Sequence, residues 1–156
     1  MPVNTFSLAV GPESGFTSVN NTVMFQFGAS AHLQYEISRK FAATLTSGYY
    51  TFGYIHLDDA RPYGSTEPYG SDFNFQMVPV KAGLKYYYIL GGYCDLEAGA
   101  GFANKLESGT KLLVSPGAGY SLKRWDFNVR YENFSGQGIN TGVIAVNCCY
   151  KFNFGK

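Results

Sequence analysis

The chain has 156 residues, a formal net charge of +1, 46% hydrophobic residues and only 15% charged residues. That length suits one domain spanning residues 1–156. The near-neutral charge gives no reason to expect nucleic acid as a partner, and the charge content lies below the roughly 25% usual for soluble domains.

Tyr and Phe number 13 each and Gly 19, a mix that favours strands and tight turns over helices. No run of about 18 apolar residues exists, so no transmembrane helix is encoded. Membrane strands alternate and escape a hydropathy window, so a membrane barrel stays open. Met1-Pro2-Val3-Asn4 has neither the basic start nor the apolar core of a signal peptide. The expectation is a mature segment carrying an added initiating Met, its leader already removed. A cytoplasmic protein is the competing reading.

Period-2 alternation runs through the chain. The first apolar face is Phe6, Leu8, Val10, in a segment ending near Gly11, with a link expected from Pro12 to Asn21. From Val23 to Ile37 one face reads Val23, Phe25, Phe27, Ala29, Ala31, Leu33, Tyr35, Ile37. The other reads Met24, Gln26, Gly28, Ser30, His32, Gln34, Glu36. A helix would mix these sets, whereas a strand separates them. Phe41 to Phe52 gives Phe41, Ala43, Leu45 and Tyr49, interrupted by Ser47 and Thr51. Phe75 to Ile89 gives Val78, Val80, Ala82, Leu84, Tyr86, Tyr88. The fifth face is Cys94, Leu96, Ala98, Ala100, Phe102. The sixth is Leu112, Val114, Pro116, Ala118, Tyr120, Leu122. The seventh is Trp125, Phe127, Val129, Tyr131. The eighth is Ile144, Val146, Cys148, Tyr150, Phe152. None of these faces carries a charge.

The opposite faces hold Glu36, Lys81, Lys85, Asp95, Glu97, Lys111, Asp126, Arg130, Glu132 and Lys151. Periodicity alone does not say which face is inside. Residue size does: the polar faces are rich in small residues such as Gly28, Gly48, Gly83, Gly99, Gly101, Gly117 and Gly119. Surface strands of a soluble protein are weakened by so many Gly, while the narrow bore of an eight-stranded barrel needs the room. Large aromatics collect toward both ends of the apolar faces, as in the girdles of a membrane barrel. The expected fold is an all-β, eight-stranded antiparallel up-and-down transmembrane barrel. A lipocalin-like soluble carrier would instead need an apolar bore and charged outer faces.

Links are expected to alternate. Ser38-Arg39-Lys40, Leu90-Gly91-Gly92 and Lys123-Arg124 are tight. Pro12 to Asn21, Gly53 to Asp72, Asn104 to Thr110 and Phe134 to Asn140 are longer. Short turns on one side put both termini on the periplasmic side of a bacterial outer membrane. Pro79 and Pro116 sit inside strands of a barrel without edges, so a bulge or a local loss of pairing is expected at each.

Val78-Pro-Val-Lys-Ala-Gly-Leu-Lys-Tyr-Tyr-Tyr88 resembles the fourth strand of small outer-membrane barrels of the Bacteroidota type. Leu96-Glu-Ala-Gly-Ala-Gly-Phe102, Ser115-Pro-Gly-Ala-Gly-Tyr120 and Asp126-Phe-Asn-Val-Arg-Tyr-Glu132 resemble such strands too. The resemblance covers roughly residues 5–154 and implies an OmpX-like or OmpA-transmembrane-like fold, usually without an assigned activity. The tail from Asn147 to Phe154 resembles the C-terminal assembly signal of such barrels. Phe152 and Phe154 match its aromatics and Asn147 its polar position. Cys149 stands where the signal has Gly, and Gly155-Lys156 extend past the usual final aromatic.

His32, Glu36, Lys81, Lys85, Asp95, Glu97, Arg130 and Glu132 read either as a catalytic or proton-conducting cluster or as a salt-bridged filling of the bore. The filling is favoured, because buried charges must pair and eight strands leave no aqueous channel. Tyr54, His56, Asp58, Asp59, Arg61, Tyr63 and Tyr69 mark the longest loop as a candidate interaction surface. No nucleophile motif, P-loop or dinucleotide fingerprint occurs. Cys94, Cys148 and Cys149 lack metal-site spacing and read as small apolar fillers. The reading is therefore a non-enzymatic outer-membrane barrel without cofactor or metal. It has a structural or surface-interaction role, which includes that of a subunit of an outer-membrane assembly. Its expected partners are outer-membrane lipid, lipopolysaccharide and other outer-membrane proteins. An enzyme or ligand-binding barrel with its site in the outer loops is the alternative.

Overall fold

The computed structural model describes residues 5–19, 22–56, 72–104, 110–136 and 141–154. Eight strands follow one another: β1 (Phe6–Val19), β2 (Thr22–Glu36), β3 (Phe41–His56), β4 (Asp72–Tyr87), β5 (Gly92–Asn104), β6 (Thr110–Ser121), β7 (Trp125–Ser135) and β8 (Thr141–Asn153). Each pairs antiparallel with its neighbour in sequence, and β1 also pairs with β8, so the sheet closes in sequence order. Closure removes every sheet edge.

The faces separate as the alternation predicts. Val80, Leu84, Phe102, Val129 and Val146 stand exposed on the outside, whereas Lys81, Glu97, Arg130 and Glu132 are buried inside. A soluble carrier has the reverse arrangement. An outer surface of exposed Leu, Val, Ile and Phe is unfavourable in water and is the lipid-facing band of a membrane barrel. Aromatic pairs ring its turn side: Phe6 with Tyr35 at 4.6 Å between centroids, Phe41 with Tyr86 at 5.0 Å and Trp125 with Tyr150 at 5.3 Å. Phe16, Phe27, Tyr49, Phe102 and Tyr131 are exposed nearer the other end.

Two expectations change. The link expected from Pro12 to Asn21 is mostly strand. Only residues 20 and 21 separate β1 from β2, so the outer links are not uniformly long. Pro12-Glu13-Ser14-Gly15 reads locally as turn chemistry, but pairing on both sides overrides it: Glu13 lies opposite Gly28 of β2 and Asn147 of β8. Two of the long links also begin later than expected, because β3 runs to His56 and β7 to Ser135.

Proline does interrupt pairing, without bulging the strand. The β3–β4 ladder skips from Ser47↔Val80 to Tyr50↔Met77 across Pro79, and the β6–β7 ladder from Val114↔Asn133 to Gly117↔Arg130 across Pro116. The β1–β8 ladder skips likewise across Pro12, from Val10↔Tyr150 to Glu13↔Asn147. In each case the register resumes unchanged, and the other edge of the same proline stays paired. One missing N–H thus costs one local break on one side. The β3–β4 register shifts at Phe52/Gly53, near the outer end of the pair.

The barrel is taller on one side. β3 and β4 have 16 residues each and β7 has 11, while all strands start or stop together at the short turns. At about 3.4 Å per residue and a tilt near 40°, β3 and β4 rise roughly 13 Å higher than β7. Crossing a bilayer takes about 9–11 residues, so this wall projects outward beyond the membrane.

Candidate functional site

Alternation on eight closed strands sends all inward side chains into one bore, where they meet in three tiers. Room comes from glycines set across the ladder from the large groups: Lys81 lies opposite Gly99, Glu97 opposite Gly83, Asp95 opposite Gly117 and Tyr93 opposite Gly119. A Cβ at Gly119 would lie 2.5 Å from the Tyr93 hydroxyl, so that position admits no side chain without moving the tyrosine.

The tier nearest the short turns holds Tyr87 and Tyr93, edge to face at 5.6 Å. The Tyr93 hydroxyl donates to Asp126. Lys85 Nζ lies 3.2 Å from Asp126 Oδ2 and 3.9 Å from the Tyr93 ring centroid, so one ammonium serves a carboxylate and an aromatic face. Gln34 donates to Tyr87 Oη at 2.9 Å and to Glu36, which lies 4.0 Å from Lys151 Nζ.

The middle tier is the most highly charged. Lys81 Nζ lies 2.5 Å from Glu132 Oε1 and 3.7 Å from Glu97 Oε2. Arg130 Nη1 is 3.1 Å from Glu97 Oε2, and its Nε donates to Asn128 Oδ1 at 3.1 Å. Asn128 donates onward to Asp95 at 2.9 Å, and Gln26 to Glu132 at 3.2 Å. His32 links this tier to β3 and β8: Nδ1 lies 2.8 Å from Thr46 Oγ1, and Nε2 lies 2.9 Å from Ser30 Oγ and 3.2 Å from Asn147 Nδ2. The Asn147 amide must donate, which assigns the proton to Nδ1; Thr46 then passes its own hydroxyl hydrogen to Glu97 at 2.7 Å.

The outer tier is apolar. Tyr50, Phe52, Met77, Leu113, Phe134 and Val143 form one buried cluster with Met24 packed against it, and the Phe52 and Phe134 rings meet edge to face at 5.8 Å. Beneath it, between the charged tiers, the side chains leave a cavity of about 20 Å³ lined by His32, Asp95, Arg130, Cys149 and Lys151 among others. That volume holds about one water molecule.

All eight residues of the expected polar network therefore lie in one bore, joined through shared partners. Two inward features escape the sequence reading. Glu13 is buried, with neither carboxylate oxygen hydrogen-bonded among the described residues. Its hiding place is the stretch that reads as a loop. The apolar outer tier is the other, and its signal is apolar residues on both faces, as in Leu112-Leu113-Val114 and Val143-Ile144. Cys149 is buried and lines the polar cavity, while Cys94 is exposed on the lipid face. Tyr54 and His56 fall in the last residues of β3. Asp58, Asp59, Arg61, Tyr63 and Tyr69 lie outside the described residues. Among the described residues, no group of three or more His, Cys, Asp and Glu side chains could hold a metal ion.

A closed eight-stranded barrel, apolar and aromatic-girdled outside and charged within, is an integral barrel of the bacterial outer membrane. Solved structures agree on the fold. The crystal structure of the attachment invasion locus protein Ail of Yersinia pestis, in complex with the heparin analogue sucrose octasulfate, is 15% identical. It superposes with a TM-score of 0.64 over 97% of this chain and 100% of that one. The N-terminal β-barrel domain of Pseudomonas aeruginosa OprF is 12% identical, with a TM-score of 0.54 over 97% of this chain and 100% of that one. A de novo designed transmembrane β-barrel is 16% identical, with a TM-score of 0.54 over 97% and 98%. No protein-family model and no curated protein sequence matches the chain.

Proposed function

We propose that this protein is a non-conducting, non-enzymatic outer-membrane barrel that works through its outer rim, as a surface-interaction protein or a subunit of an outer-membrane assembly. The strand motifs quoted above support a place among small barrels of the Bacteroidota type. The observation that carries the functional reading is the filling of the bore. Among the described residues an apolar tier lies over two ion-paired tiers, with space for about one water between them, which supports a bore without a water column or a substrate cavity. The strand faces are then occupied by lipid outside and by one another inside. What remains is the raised β2–β4 wall and residues 57–71, which join its two tallest strands. A connection of that length usually has a role. Tyr54 and His56 at the end of β3, with Asp58, Asp59, Arg61, Tyr63 and Tyr69 of the link, supply this rim with aromatic groups and both signs of charge. Lipopolysaccharide and neighbouring outer-membrane proteins are the partners such a surface meets.

Replacing residues 57–71 with a short Gly-Ser link tests this. The barrel stays folded and heat-modifiable, because closure entropy varies slowly with loop length, and proteins that co-purify with the full chain in detergent are lost. Retention of those proteins, together with their loss on changing the outward Leu84 or Phe102, would move the working surface into the membrane plane.

A further inference from the structure

The opposite mouth of the barrel carries a second surface that the filled bore and the outer rim do not use. Its three turns, residues 37–40, 88–91 and 122–124, contain Arg39, Lys40, Lys123 and Arg124 and no Asp or Glu. Between the second and third turns the inner mouth opens into a concavity of about 730 Å³, lined by Leu90, Tyr120, Leu122, Lys123, Arg124 and Lys151 among others, with no acidic residue in its lining. Lys151 at the floor has Glu36 within 4.0 Å. Lys123 and Arg124 at the rim form no ion pair among the described residues.

The turn itself is fixed. Leu122 N donates to Trp125 O at 2.7 Å, Lys151 N to Arg124 O at 2.8 Å and Asn153 Nδ2 to Lys123 O at 3.3 Å. Both cationic side chains therefore stand on an anchored backbone. Gly91, at a φ of 86°, makes the tight reversal on the facing turn. That reversal presents Leu90 at 95% exposure beside Ile89 at 61%.

We propose that this concavity binds the headgroup of an anionic phospholipid of the inner leaflet. The phosphate sits between Lys123 and Arg124, where a guanidinium offers paired donors to phosphate oxygens. The glycerol and first acyl carbons lie against Leu90, Leu122 and Tyr120. Charge complementarity supplies the anion. The apolar wall selects a lipid over a soluble anion, because Tyr120 and Leu122 continue directly into the lipid-facing band of β6, so a bound headgroup has its acyl chains already on barrel surface. Trp125 and Tyr120 place this level at the membrane–water interface, where amphipathic rings reside.

The test uses the full chain folded into nanodiscs of phosphatidylcholine and phosphatidylglycerol in equal amounts, then transferred to detergent and weighed with its retained lipids by native mass spectrometry. Heat-modifiability confirms folding of each variant. The wild type retains phosphatidylglycerol in preference. Lys123→Gln/Arg124→Gln lowers that preference by at least about tenfold, the effect of losing a single charge-assisted bond to the phosphate. Lys123→Arg/Arg124→Lys keeps it. Arg39→Gln/Lys40→Gln removes the same charge outside the concavity and also keeps it. Equal loss in both Gln pairs would reduce the effect to diffuse attraction and overturn the site, as would a wild type without preference. Binding to purified cell-wall sacculi that depends on Lys123 and Arg124, with lipid retention unchanged by their loss, would replace the phospholipid with the cell wall.

Discussion

Replacing Lys81 by Met removes the cation at the centre of the bore while keeping most of its volume. Lys81 is fully buried and bridges Glu132 at 2.5 Å and Glu97 at 3.7 Å. Glu132 would keep one neutral donor, Gln26, at 3.2 Å. Glu97 would keep Arg130 at 3.1 Å and the Thr44 and Thr46 hydroxyls. The damage therefore falls on Glu132, a buried carboxylate left without its cation. Breaking such a pair on one side costs about 3–5 kcal/mol, and the surviving Gln26 bond puts this case near 3 kcal/mol. Urea unfolding in lipid vesicles, followed by Trp125 fluorescence and heat-modifiability, measures it. Lys81→Met/Glu132→Gln removes both charges and restores more than half the loss, since a neutral amide leaves no ion to compensate. A single variant that loses less than about 1 kcal/mol would show that Lys81 does not hold the network together.

Arginine in place of Ala29, Val80 or Val129 impairs insertion, at roughly 2–4 kcal/mol near mid-bilayer, whereas arginine in place of inward Gln26 does not meet lipid; folding yields into vesicles compare them, and equal losses to lipid exposure would refute the face assignment. Gly119→Leu displaces Tyr93 from its bond to Asp126, so the variant folds in lower yield and loses the slow-migrating form at a lower temperature than wild type. A wild-type profile would show that the bore is loosely packed. The link replacement at residues 57–71 leaves the barrel folded and its co-purifying proteins lost, as read by detergent pull-down.

Much of the fold is visible in the sequence because lipid and bore impose opposite demands at every second residue. Val78, Val80, Ala82 and Leu84 alternate with Pro79, Lys81, Gly83 and Lys85, and no other register satisfies both solvents. The pairing of large inward groups with Gly across the ladder is visible as composition but not as register, which needs the neighbouring strand. Pro12 to Gly15 fails for a different reason. Its residues have local turn preferences, and only the closing contact between β1 and β8, distant in sequence, makes them a strand. Glu13 is hidden with them. The outer tier is missed because Phe52, Met77, Leu113 and Val143 occupy the face that is polar elsewhere. Its meaning emerges only where eight strand ends converge. The rising wall follows from strand lengths, which sequence patterns bound poorly at their ends.

Ion conduction tests most directly whether the bore is filled by its own side chains. The full chain, folded and inserted into a planar bilayer, is recorded under an applied voltage across a range of salt concentrations. The expected result is no steady current above that of the empty bilayer, with Phe52, Phe134 and Leu113 closing the outer end and the Lys81, Glu97, Arg130 and Glu132 ion pairs closing the middle. A stable, discrete single-channel current would contradict it, and would recast Lys81, Lys85, Glu97 and Arg130 as the charged lining of a selective pore.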